Sequence, residues 1–78
     1  MSGHVPTQAE ISEARAELAK RAAVAEELPL DTPEWRRAVL ICGDIEGWIV
    51  AAREWGLVRR SYSDAIERIL ELRTGGGA

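Results

Sequence analysis

One cysteine, one histidine and one lysine are all that this 78-residue sequence offers of three residue types on which much site chemistry depends. A lone cysteine closes no internal disulfide, so nothing here calls for an oxidising compartment or a cystine-stapled fold. His4 lies near the start of the chain and Cys42 in its most apolar stretch, so no base stands beside the thiol in sequence. Cys42 therefore reads as a small core side chain rather than a nucleophile. Metal binding fails on the same count, because the scattered carboxylates add no convergent ligand spacing, and neither a metal nor a cofactor is expected. No glycine-rich loop leads into a helix, which removes the usual phosphate cradle. The opening MSGHVPTQAE has no basic region followed by an apolar one, and no uncharged apolar run approaches the roughly 20 residues of a membrane span. The expectation is a cytoplasmic protein with no membrane contact.

What the sequence does contain is helix. Residues 32–56, TPEWRRAVLICGDIEGWIVAAREWG, hold all three tryptophans, the cysteine and six of the eighteen valine, isoleucine and leucine residues. Thr32 is suited to cap the first free backbone N–H groups, Pro33 to occupy the first helical position, and Gly56 to close the last turn. Within the span, Ala38, Ile41, Ile45, Trp48, Ala52 and Trp55 recur at spacings of three and four and predict a core-facing stripe, flanked by Trp35, Val39, Cys42 and Ile49. Gly43, Gly47 and Ala51 form a second stripe of small residues on a side that otherwise carries Arg36, Asp44 and Glu54. Each internal glycine costs about 0.5–1 kcal/mol relative to alanine, so two of them one turn apart predict a groove where another backbone approaches.

Two shorter helices flank this one. Thr7 with Glu10 makes a capping box, and Pro29 stops the helix that it starts, giving a first helix over 7–28. Its Ile11, Ala14, Leu18, Ala22 and Ala25 lie on one stripe, while Ser12, Ala16, Ala19 and Ala23 form a second, wholly small one that is expected to pack into the glycine groove. Glu10, Glu13, Glu17, Lys20 and Glu27 are expected to face solvent, with Glu17 and Arg21 paired at i,i+4. Leu30 is expected to tuck under the short 29–31 connection and Leu57 to fold back on Ala51 or Ala52. Ser61 caps a third helix over 62–73, whose apolar face is Ala65, Ile66, Ile69, Leu70 and Leu72 and whose Asp64 and Arg68 form an i,i+4 pair. Residues 1–6 read as a flexible lead-in and the glycine-rich 74–78 as a flexible tail, leaving one helical domain over 7–73.

The fold class predicted is therefore all-α: a three-helix domain in which helices one and two form a long antiparallel hairpin and a shorter third helix packs across it. Hydrophobic content of 46% against 29% charge is that of a folded globular chain, and a net charge of −3 argues against a coat for nucleic acid. Nine of the ten cations are arginine, a bias in keeping with a GC-rich bacterial or phage coding sequence. Two apolar sides on each of two helices exceed what a three-helix monomer buries, which predicts self-association as a two-fold dimer of the four-helix-bundle kind. Trp35, Val39, Ile41, Ile45, Trp48 and Trp55 are the interface candidates, and Gly43, Gly47 and Ala51 the close-packing groove. The functional expectation is a non-enzymatic protein–protein interaction or regulatory module, binding itself or a protein partner. The alternatives are a helix-turn-helix-like DNA-binding regulator, with Arg59 and Arg60 as phosphate contacts, and a small dimeric helical enzyme.

Overall fold

The computed structural model of the chain describes residues 3–75. It consists of α1 (Gln8–Glu27), α2 (Pro33–Trp55) and α3 (Tyr62–Thr74), joined by short turns. The predicted all-α class and the long helix pair with a shorter third helix are what the structure shows. The expected tail at 74–78 begins instead as the last helical residue, Thr74, and a glycine cap at Gly75. Its remainder at 76–78 lies outside the described residues, as do the first two residues of the expected lead-in.

Every helix starts at the cap that the sequence announces. Thr7 accepts from the Glu10 backbone N–H while Glu10 returns to the Thr7 N–H at 2.9 Å, completing the capping box. Thr32 accepts from Trp35 and Ser61 from Asp64. At the far end of α2, Gly56 adopts φ 65°, the left-handed conformation that glycine takes without steric cost, and its N–H returns to the Ala52 carbonyl. Between α1 and α2 the reversal is made by Asp31, also left-handed at φ 66°, one of the few L-residue types that tolerate this region. Leu30 beside it is 75% exposed, so it does not tuck under the turn as expected. A three-residue reversal leaves no cavity beneath it for a leucine.

The hairpin is antiparallel: Ile11 and Arg15 of α1 lie near Ala52 and Arg53 of α2, while Lys20 and Val24 lie near Arg37 and Ile41. α2 is the middle helix, packed against both others, which meet each other far less. Its buried residues are Ile41, Ile45, Trp48, Ile49 and Ala52, and they join Ala14, Val58, Tyr62 and Ala65 in one core. Ile11, Leu18, Ile66, Ile69 and Leu70 close around it, half-buried, whereas Leu72, expected on the same face, is exposed.

This packing corrects the expected partition of faces. α1 turns its bulkier stripe to α2, with Ala14 fully buried, and leaves Ala16, Ala19 and Ala23 exposed, so the two small stripes do not meet. The reason is magnitude. Burying isoleucine and tryptophan stabilises by about 25 cal/mol per Å² of apolar surface, far more than a close approach of alanine to glycine supplies. Since α2 serves both neighbours with one stripe, that stripe is consumed inside the single chain. Ile41, Ile45 and Trp48 are 5%, 0% and 8% exposed, so these three interface candidates are core residues of the single chain.

Candidate protein-interaction surface

Two sets of contacts hold the helices at fixed distances and so decide which faces stay open. The first joins α2 to α3. Trp48 Nε1 donates to the Arg60 carbonyl at 3.0 Å, and its ring meets Tyr62 edge-on with centroids 5.2 Å apart, the geometry that aromatic quadrupoles prefer. Further along, Arg73 donates through Nε and Nη2 to both carboxylate oxygens of Asp44, at 2.8 and 3.2 Å. This bidentate contact raises the Arg73 pKa. Tyr62 is 2% exposed, and burial, with Glu17 and Glu13 nearby, pushes its phenol up to about 12. The expected Asp64–Arg68 pair is not among the ion pairs of the described residues, whereas Glu17–Arg21 is, at 2.6 Å.

The second set is a clasp centred on Glu10. Its carboxylate meets His4 Nε2 at 2.8 Å, accepts from the Thr7 N–H, and accepts from the Tyr62 N–H at 2.9 Å. One side chain thus caps α1 and α3 together. These bonds, with His4 the largest contributor, hold the Glu10 carboxyl down at about 2. Alongside, His4 and Val58 exchange a pair of backbone hydrogen bonds at 2.7 and 2.9 Å, and Leu57 lies against Gly3. Both findings correct the sequence reading, which placed His4 in a free lead-in and Glu10 on a solvated face. The partners of this clasp are up to 52 residues apart, and no local pattern announces such pairings.

What remains open is the outer face of α2, on the side away from the buried stripe. There Val39, Leu40 and Val50 are 42%, 48% and 52% exposed, and Trp55 at the end of the helix is 81% exposed. Gly43, Glu46, Gly47, Val50, Ala51, Glu54 and Trp55 line a broad open depression along this face, of ≈ 620 Å³. A Cβ placed on Gly43 or Gly47 would meet nothing within 4 Å. The small-residue stripe of the sequence reading therefore lies along an open depression that no other described residue fills. Of the interface candidates, Val39 and Trp55 lie exposed and Trp35 half-buried, near Cys42 and the α1 residues Ala22 and Ala25. Leu40 and Val50 are the residues that sequence reasoning missed. Reading the spacing 40, 43, 47, 50 as a stripe in its own right is the signal that finds them.

Other places offer less. A smaller cleft of ≈ 340 Å³ between the C-terminal half of α1 and the start of α2 is lined by Lys20, Arg21, Val24, Glu34, Arg37, Ala38 and Ile41. Cys42 is half-buried, and burial pushes its thiol pKa up, which disfavours the reactive thiolate. Arg59 and Arg60 are exposed in the α2–α3 turn. On α3, where a recognition helix would read a groove, Asp64, Glu67 and Glu71 line one shallow patch with Arg60 and Arg68. Among the described residues no three of histidine, cysteine, aspartate and glutamate gather as metal ligands. No helix in the same residues is long and apolar enough to cross a membrane. Comparison with known proteins gives no match to the chain among protein-family models, curated proteins or solved structures.

Proposed function

We propose that the chain is a small protein-interaction module, without catalysis of its own, that binds through the outer face of α2. The observation that carries this reading is the pair of internal glycines. Gly43 and Gly47 each weaken α2 by about 0.5–1 kcal/mol relative to alanine, yet none of the described residues packs into the space that an alanine methyl would fill. A helix that forgoes this stability at two positions one turn apart, between the exposed Leu40 and Val50, is shaped for close contact with something outside it. Apolar side chains flanking a flat, small-residue centre give an interaction surface its buried middle, and Arg36, Glu46 and Glu54 supply a polar rim.

Capture from cells of origin with the chain as bait tests this, run in parallel with a Val50→Glu variant. Val50 is half-exposed, so the substitution leaves the fold and the helical circular dichroism intact while it puts a charge in the middle of the face. Proteins held by the parent chain and lost with Val50→Glu support the reading. An identical set held by both chains overturns it.

A further inference from the structure

The outer face of α2 is complementary to itself when turned end for end, and from this we infer that a second copy of this chain occupies it, paired antiparallel about Ile45. The inference rests on the reading of that face as the interaction surface and names its occupant. Six residues form the stripe: Arg36, Leu40, Gly43, Gly47, Val50 and Glu54. At 100° per residue they fall within an arc of about 80°, and their alternating spacing of four and three averages close to the 3.5-residue period of a two-helix seam. The stripe is also symmetric about position 45. In an antiparallel pair centred there, Gly43 faces Gly47 of the second copy, Leu40 faces Val50, and Arg36 faces Glu54, each contact occurring twice.

Each layer of this arrangement is physically matched. The two glycine layers at the centre carry no side chain, so the backbones can come to the short end of the 8–10 Å range of helix packing. On either side, Leu40 and Val50, now 48% and 52% exposed, cover each other. At both ends an arginine meets a glutamate. Among the described residues the Arg36 guanidinium, itself well exposed, makes one ion contact, at 3.9 Å to Asp31, whose side chain is 84% exposed, so it can turn outward at little cost. The charges also choose the direction: a parallel pair in the same register would set Arg36 against Arg36 and Glu54 against Glu54. A face evolved for a different protein has no reason to be complementary to its own reverse, whereas a two-fold self-contact requires it. Neither α1 nor α3 obstructs the approach, because the stripe lies on the side of α2 opposite Ile41, Ile45 and Ile49, which those helices cover.

Sedimentation equilibrium at low ionic strength, with the full chain and two charge reversals, decides the matter. The parent chain sediments as a dimer. Arg36→Glu alone sets glutamate against glutamate at both ends, and Glu54→Arg alone sets arginine against arginine, so each variant dimerises more weakly by about tenfold. Mixing the two variants one to one restores dimers, because every end of the mixed pair again joins opposite charges. Gly47→Leu, for which the protomer has open space, keeps the helical spectrum and separates the copies. A parent chain that stays near 8.6 kDa up to high micromolar concentration overturns the inference, as does a dimer indifferent to both reversals or a mixture that fails to recover. Loss of captured proteins with Val50→Glu from a monomeric parent chain would leave the interaction face standing with a different occupant, so the two failures are told apart.

Discussion

Glu10 accepts hydrogen bonds at once from His4, from the first turn of α1 and from the first turn of α3, and all three favour its ionised form. Folding brings its pKa from the ordinary 4.5 of a free glutamate down to about 2. A carboxyl whose pKa is lowered by folding adds stability that is fully present above the unfolded value and is lost as the pH falls through the folded one. The clasp should therefore weaken between about pH 4.5 and pH 2. Glu10→Gln keeps an acceptor oxygen but loses the charge, and since the side chain is partly solvated the expected cost at neutral pH is about 1–2 kcal/mol. Urea denaturation of both chains at pH 7 and at stepped acidic pH checks this: the gap between them narrows across that window, and a gap that stays constant with pH would show that the charge has no part in it.

The helices themselves were legible in the sequence because their signals are local. Thr7, Thr32, Pro33, Gly56 and Ser61 each act on backbone groups within four residues of themselves, and α2 runs between the bounds that its caps predict. The phase of its core stripe was legible through Ile41, Ile45, Trp48 and Ala52, which are buried, but Trp55, expected on the same stripe, is 81% exposed where the helix runs past the core. Which stripe of α1 would face it was not, because that choice depends on competing burial areas between elements and not on either helix alone. Leu72 failed for a related reason: it lies at the end of a helix too short for every apolar residue to reach the core. The open face of α2 carries its own test. With no described residue outside the local helix backbone within 4 Å of either added methyl, Gly43→Ala and Gly47→Ala should each raise the stability of the dilute chain by about 0.5–1 kcal/mol. The same methyls hold the helices of a pair further apart, so association weakens as the fold strengthens. Thermal melts at low micromolar protein, set beside sedimentation, read these opposite signs.

At the scale of the whole molecule, 78 residues support a single small core, and a domain of this size has little stability to spare. Ile45 is fully buried at the middle of it. Ile45→Ala should cost about 2–5 kcal/mol, enough to leave much of the chain unfolded at 37 °C, and a variant that melts like the parent would displace Ile45 from the centre of the fold. The clasp between chain start and third helix bears on how the molecule is made. Synthesis runs from the N-terminus at about 5–20 residues per second, so Glu10 emerges some seconds before Tyr62, its partner 52 residues later. In that interval α1 has its own capping box and α2 can pair with it, while Trp48 and the isoleucines around it stay uncovered on the side that α3 will take. That side of the hairpin closes when Val58 and Tyr62 arrive and join His4 and Glu10, so an interaction made across the whole sequence separation completes what the local helix signals begin.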